Sequence, residues 1–124
     1  DQGYFVEPTI FGGVVPEMRL AQEEVFGPVL ALMVAIDFDD AMRLANSARF
    51  GLSASIVTRD VTRIHQYINR IDAGLITVNL PTAGVEYQLP FGGTKESSFG
   101  MREQGPLALD FYTETRTVYL KYTQ

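Results

Sequence analysis

The feature that most constrains the fold is an alternation of two hydrophobic periods between residues 29 and 79. A continuous apolar segment at 29–36 and two short segments with β-branched residues, at 53–58 and 75–79, are separated by two stretches whose apolar residues recur every three or four positions. The three segments favour strands, and the spaced residues favour amphipathic helices. Short connections favour parallel strands joined by right-handed crossovers. The sequence therefore predicts the α/β class with a β-α-β-α-β parallel core.

Aspartates and glycines mark the expected ends of the two helices. Asp37 and Asp60 stand at N-cap positions, where a carboxylate accepts hydrogen bonds from the first free N–H groups of a helix. Gly51 and Gly74 follow the helical patterns, where glycine commonly ends a helix. One helix is predicted between Asp37 and Gly51, and a second between Asp60 and Gly74.

The last third of the chain has a different character. Residues 80–106 hold eight glycines and prolines, which predicts a long loop, and a loop of this length is usually functional or poorly ordered. Residues 107–111 are expected to form a helical turn. Thr113–Tyr122 alternates between polar and mostly apolar positions, which predicts an edge strand that pairs with a second chain.

Charge and composition exclude several functions. The net charge of −5 argues against a nucleic-acid partner and against an anionic membrane surface. The longest apolar run, Val29–Ile36, is far shorter than the roughly 20 residues of a membrane helix. The chain has no Cys and one His, so no disulfide, thiolate zinc site, cysteine nucleophile or His-rich metal cluster is predicted within it.

The size of the chain suits one domain. Its 124 residues suffice for one core, and it begins with Asp1 rather than Met. The expectation is a processed product or a piece of a longer protein.

Two local patterns are candidates for chemistry. In Glu23–Pro28, paired carboxylates precede Phe26 and a Gly-Pro stop. A carboxylate can bind both hydroxyls of a ribose, and the aromatic ring can cover a flat ring; the alternative is a solvated acidic pair beside a core Phe. Gly92-Gly93, with Gly100 and Gly105, fits neither nucleotide-binding glycine fingerprint, so glycines packed into a sharp loop explain it better. Arg102-Glu103 is expected to be an ion pair or a solvated turn.

An ordered set of motifs carries a family resemblance. Its members span most of the chain: Gly3–Phe11, Glu23–Val29, Asn46, Gly51–Ala54, Gly74–Asn79 and Pro90–Lys95. Together they closely resemble the carboxy-terminal part of the NAD(P)-dependent aldehyde dehydrogenase superfamily. The resemblance implies residues 1–106 as part of the catalytic domain and residues 107–124 as an oligomerisation tail.

The resemblance also implies roles for single residues. Glu24 matches the glutamate that holds the ribose next to the nicotinamide, and Phe26 matches the aromatic beside it. Asn79 ends the strand before the substrate-entrance loop, residues 80–90, which includes Pro81 and Thr82. Phe91 matches an aromatic that lines the substrate tunnel. The cofactor implied is NAD or NADP.

The catalytic groups of this family are expected outside the chain. Its cysteine nucleophile, glutamate base and Rossmann-like cofactor domain lie upstream of such a segment. We therefore expect the isolated chain to be inactive, and the parent to be a cytoplasmic homo-oligomer, assembled through Thr113–Tyr122, that acts on a small aldehyde. The alternative is a non-catalytic binding or assembly module that keeps the fold.

One departure from the family pattern suggests a branch. Many members read Ser-Gly-x-Gly-Arg-Glu after the lysine, whereas this chain reads Ser97-Ser98-Phe99-Gly100-Met101-Arg102-Glu103. This form is similar to the branch that includes α-ketoglutaric semialdehyde (2,5-dioxopentanoate) dehydrogenases. A dicarboxylic semialdehyde needs a cationic or hydrogen-bonding clamp. Thr82 can donate to it, but residues 80–90 contain no Arg or Lys.

Overall fold

A computed structural model describes residues 2–122, which form short strands and helices in an α/β arrangement. The six strands are β1 (Thr9–Phe11), β2 (Val29–Ala31), β3 (Phe50–Gly51), β4 (Ser53–Ile56), β5 (Leu75–Val78) and β6 (Thr94–Lys95). The helices are α1 (Arg19–Gln22), α2 (Phe38–Asn46), α3 (Val61–Arg70) and α4 (Ala108–Tyr112), with a 3₁₀ turn at Gly105–Leu107.

The predicted alternation is present in the order β2, α2, β4, α3, β5. Strands β4 and β5 are parallel, with Ser53 opposite Leu75 and Ile56 opposite Val78. Strand β2 is parallel to β1 and, within residues 2–122, does not pair with β4. Strands β3 and β6 form a separate antiparallel pair. The α/β class is therefore confirmed, while the strands form three pairs rather than one continuous sheet.

Both predicted N-caps are confirmed. The Asp37 carboxylate accepts a hydrogen bond from the Asp40 N–H at 2.8 Å, and Asp60 accepts from the Thr62 N–H at 2.9 Å. The predicted C-terminal ends are too late, because α2 stops at Asn46 and α3 at Arg70.

The early end of α2 coincides with hydrogen bonds to a distant part of the chain. The Asn46 side chain donates to the Arg70 carbonyl at 2.8 Å and accepts from the Asp72 N–H at 2.9 Å. These bonds tie the ends of α2 and α3 together. The following residues then enter β3, so Gly51 lies in a strand rather than at a helix end.

The prediction that residues 29–36 are a strand buried on both faces is wrong. Only Val29–Ala31 is a strand, and Leu30, Leu32, Val34 and Ile36 are exposed along one face. The alternate residues are half-buried. A sheet face is shielded from solvent only when a second layer of structure covers it. Nothing in residues 2–122 covers the exposed face of this segment.

The tail also differs from its sequence-based prediction. Thr113–Tyr122 forms no strand with the described part of the chain, and its side chains are exposed. An isolated segment cannot form a ladder without a backbone partner. Pairing with a second chain stays a prediction, as does the boundary between 106 and 107, which falls inside the 3₁₀ turn. Residues 123 and 124 of the predicted tail lie outside the described range.

The core is small. Val14, Met42 and Tyr67 are its buried apolar side chains. Met42 and Tyr67 also line an open groove of about 580 Å³ beside α2, α3 and β4. Within residues 2–122, no helix has the length and apolarity needed to cross a membrane.

Candidate functional site

The two adjacent glutamates differ in their surroundings. Arg19 lies one helical turn before Glu23 and donates to both of its carboxylate oxygens, at 2.8 and 2.7 Å. The Arg19 guanidinium holds the pKa of the Glu23 carboxyl below its usual range, chiefly through these hydrogen bonds. Glu24 forms no salt bridge and no side-chain hydrogen bond among residues 2–122. Of the pair, Glu24 is the carboxylate available to a ligand.

Glu24 lines a groove of about 340 Å³. The wall is formed by the end of α1, Phe50–Ser53 and Ser97. Gln22 anchors α1 there, because its amide donates to the Pro16 carbonyl at 2.8 Å and to the Ser47 carbonyl at 3.1 Å. A carboxylate free of protein partners in an open groove suits a vicinal diol such as that of a ribose.

The Phe26 side chain is 96% exposed, so the interpretation of a solvated acidic pair beside a core Phe is wrong for Phe26. Two consecutive three-residue turns position this segment, with the Gly27 N–H on the Val25 carbonyl at 2.7 Å and the Val29 N–H on the Gly27 carbonyl at 2.8 Å. An exposed ring two residues beyond a free carboxylate offers a surface on which a flat ring can pack.

Several hydrogen bonds fix the turn that begins at Phe91. Its N–H donates to the Glu103 carbonyl at 2.6 Å, and the Glu103 N–H donates back at 2.9 Å. Arg102 donates to the carbonyl of Gly93. Arg102 and Glu103 form no ion pair with each other among the described residues. Arg102 is half-buried against the backbone, so neither an ion pair nor a solvated turn describes it.

The grooves beside Glu24 and Phe91 are neighbours. Phe91 lines a groove of about 280 Å³ together with Ser98, Phe99 and Met101. Leu52 and Ser97 line both this groove and the one that holds Glu24. The fold thus places side by side the grooves lined by two residues that are 67 positions apart in the sequence, Glu24 and Phe91.

The other predicted substrate residues lie elsewhere. Thr82 lines a separate groove of about 160 Å³ with residues 75–77 of β5 and Pro90. Pro81 is exposed and does not line that groove. The Asn79 side chain is bound to the backbone of Thr58, at the ends of β4 and β5. Asn79 therefore shapes the start of the loop through the backbone.

Sequence reasoning missed the contribution of Lys95. Its ammonium donates to the carbonyls of Asn46 at 3.0 Å and Ala48 at 2.9 Å, and lies 3.5 Å from that of Phe50. These bonds hold the segment that follows α2 against β6. The sequence signal was the lysine after Gly-Gly-Thr. Among residues 2–122, no cluster of three or more His, Cys, Asp or Glu side chains is suited to a metal ion.

Comparison with known proteins decides the family. The sequence pattern of the aldehyde dehydrogenase family matches residues 1–118. The chain belongs to the aldehyde dehydrogenase family. The order of the motifs agrees with this membership.

Curated aldehyde dehydrogenases are about 50% identical to the chain over the region that aligns with it. The α-ketoglutaric semialdehyde dehydrogenase of Bacillus subtilis is 51% identical over 119 residues, which cover 96% of this chain and 24% of that protein. The 2,5-dioxopentanoate dehydrogenase of Saccharolobus solfataricus is 50% identical over 95% of this chain and 25% of that protein. The chain thus spans about a quarter of the length of these relatives.

A solved aldehyde dehydrogenase shares the fold. The NAD-dependent enzyme from Sinorhizobium meliloti superposes with a TM-score of 0.84 at 41% identity, over 90% of this chain and 22% of that one. The fold predicted from the resemblance is therefore confirmed.

Proposed function

We propose that this chain is the carboxy-terminal quarter of an NAD-dependent aldehyde dehydrogenase, which oxidises an aldehyde to the carboxylic acid. The observation that carries the proposal is the pair of adjacent grooves at Glu24 and Phe91 in a chain of this family. One groove offers a free carboxylate to the cofactor, and the other offers an aromatic wall to the substrate. This segment supplies positioning, which contributes several kcal/mol in well-oriented reactions.

On the cofactor side, Glu24 would accept hydrogen bonds from the ribose next to the nicotinamide, and Phe26 would pack near that ring. When bound, the nicotinamide accepts the hydride of the aldehyde. NAD is favoured over NADP because the Sinorhizobium meliloti enzyme is NAD-dependent.

On the substrate side, we place Asn79, Pro81, Thr82 and Phe91 along the aldehyde entrance. The proposed substrate is a dicarboxylic semialdehyde, because the relatives near 50% identity are named for α-ketoglutaric semialdehyde and 2,5-dioxopentanoate. Residues 80–90 contain no Arg or Lys, so a cationic clamp for the distal carboxylate would come from the rest of the protein.

The covalent chemistry needs groups that this chain lacks. It contains no Cys, so the nucleophile that adds to the aldehyde, and the carboxylate base that activates water for hydrolysis, belong to the upstream part of the protein. The isolated chain is therefore inactive. In the parent, a cytoplasmic enzyme, the 113–122 tail would pair with a neighbouring subunit.

The test uses the full-length protein and the isolated chain side by side. Each is supplied with NAD or NADP and with α-ketoglutaric semialdehyde or betaine aldehyde, and formation of reduced cofactor is followed. We expect turnover only by the full-length protein, fastest with NAD and the semialdehyde. Turnover by the pure isolated chain would contradict the proposal that the catalytic groups lie in another part of the protein. Cofactor binding by the full-length protein without oxidation of any aldehyde would indicate the non-catalytic alternative.

A further inference from the structure

The turn that carries Phe91 is fixed by the hydroxyl of Ser98. The N–H of Gly93, a buried residue, donates to Ser98 Oγ at 2.6 Å. The hydroxyl therefore constrains the backbone two residues after Phe91.

The constraint acts on a residue whose backbone N–H and carbonyl are both bound by side chains. Ser98 accepts from the Gly93 N–H, while Arg102 donates to the Gly93 carbonyl. Arg102 also fills the space beside Gly92, where a Cβ would lie 2.7 Å from its Nη1 atom. Together with the Phe91–Glu103 bridge, these contacts fix the backbone on both sides of the Phe91 side chain.

We propose that Ser98 is a positioning residue for aldehyde selectivity, which acts through the Gly93 peptide on Phe91. Phe91 and Ser98 line the same groove, so a shift of this peptide moves the aromatic wall. A displaced wall changes how tightly substrates of different length fit, and small displacements have large effects on the reaction of a bound substrate. The proposal rests on the proposed function, since it assumes that Phe91 borders the aldehyde path.

The neighbouring serine provides a matched control. Ser97 Oγ accepts from the N–H of Gly51, another buried glycine, at 2.9 Å. Ser97→Ala thus removes the same kind of bond from the same turn without releasing Gly93. Both alanine variants lose one hydrogen bond to a buried N–H, so their losses of stability should be alike.

The experiment compares Ser98→Ala, Ser98→Thr and Ser97→Ala in the full-length enzyme. For Ser98→Ala we expect the preference for α-ketoglutaric semialdehyde over acetaldehyde, as a ratio of kcat/KM values, to fall about fivefold, mainly through KM. The KM for NAD should stay unchanged. Ser98→Thr keeps the hydroxyl and should restore the ratio, while Ser97→Ala controls for the loss of stability alone and should lower Tm to a similar extent. An unchanged ratio in Ser98→Ala, with a Tm loss like that of Ser97→Ala, would overturn the proposal.

Hydrogen exchange separates this proposal from the proposed function. In Ser98→Ala the Gly93 amide should exchange about tenfold faster, and in Ser97→Ala only the Gly51 amide should do so. If the wild-type protein oxidises no aldehyde, the proposed function fails, while faster exchange in residues 91–93 still supports Ser98 as the group that fixes this turn. Unchanged exchange in residues 91–93 would refute that role whatever the activity.

Discussion

The side chain of Asn79 forms two hydrogen bonds with the backbone of Thr58. The Thr58 N–H donates to Asn79 Oδ1 at 2.9 Å, and Asn79 Nδ2 donates to the Thr58 carbonyl at 3.0 Å. This reciprocal pair closes the carboxyl ends of β4 and β5, where the 80–90 loop begins. Asn79 also has φ of 56°, a left-handed conformation that Asn and Asp tolerate better than most residues.

Asn79→Asp tests this clamp without changing the size of the side chain. The carboxylate keeps the bond from the Thr58 N–H but faces the Thr58 carbonyl without a donor, so the variant should lose about 1 kcal/mol of stability. Urea unfolding measures the loss. Asn69→Asp is the control, because Asn69 is an exposed residue of α3 without a side-chain hydrogen bond in residues 2–122. Equal effects of the two changes would count against the clamp.

Glu24→Gln tests the proposed ribose contact in the full-length enzyme. The amide is a weaker acceptor than the carboxylate, so single-turnover hydride transfer should slow roughly tenfold, about 1.4 kcal/mol of barrier. NAD binding should weaken less. Glu23→Gln removes the adjacent carboxylate, which is already bound to Arg19, and should leave the hydride step unchanged. A hydride rate in Glu24→Gln equal to that of the wild type would refute the assignment.

Gly74→Ala tests a close backbone approach. A Cβ at Gly74 would lie 1.8 Å from the carbonyl oxygen of Gly92, and backbone cannot move aside as a flexible side chain can. We expect a loss of about 2 to 3 kcal/mol. At Gly12 a Cβ would meet nothing within 4 Å, so Gly12→Ala should change stability by less than about 0.5 kcal/mol. A comparison of urea midpoints would show whether the two glycines differ in this way.

Tyr67→Phe tests a buried hydroxyl and its pH dependence. The Tyr67 hydroxyl has no hydrogen-bond partner among residues 2–122, and burial raises the pKa of this phenol above its ordinary value of 10.0. Because the folded chain holds this proton more tightly, ionisation of the unfolded chain above pH 10 favours unfolding. Tyr67→Phe should thus stabilise the isolated chain by about 1 kcal/mol at pH 7, and by more above pH 10.

The control for this pH effect is Tyr87→Phe. The Tyr87 side chain is exposed, so the change should leave stability the same at both pH values. Urea unfolding at pH 7 and above pH 10 provides the comparison. If the gain in stability of Tyr67→Phe became smaller as the pH rises, the predicted direction of the pH dependence would be wrong.

Exposed apolar residues predict self-association of the isolated chain. Val34 and Ile36 form part of the uncovered face beyond β2, and Val118 and Leu120 are exposed on the tail. Analytical ultracentrifugation should show oligomers that dissociate on dilution. Paired lysine substitutions at 34 and 36, or at 118 and 120, identify the surface that associates. A strictly monomeric chain at high concentration would refute this prediction.

The local elements were largely predictable, because their causes are local. Asp37 and Asp60 cap helices through bonds to N–H groups two or three residues away, and the order of strands and helices follows from hydrophobic spacing. The ends of the helices were not predictable. Asn46 meets Arg70 and Asp72 only after the chain has folded, and those bonds decide where α2 gives way to β3.

The candidate site, too, was only partly predictable from the sequence. The motifs pointed to Glu24, Phe26 and Phe91 as residues of a family site. The sequence could not show which carboxylate of the Glu23-Glu24 pair is free, because Arg19 selects Glu23 through the geometry of one helical turn. Nor could it show that Arg102 binds the Gly93 carbonyl rather than its neighbour Glu103.

The sequence by itself determined the α/β order, the helix starts and the family, because caps, hydrophobic spacing and motifs act over a few residues. Only the tertiary structure decided that the Glu24 and Phe91 grooves share Leu52 and Ser97, and that Ser98 and Arg102 bind the N–H and the carbonyl of Gly93. It also decided that the strand after Pro28 has one open face. Such relationships depend on the packing of segments that are distant in sequence, and no local pattern records them.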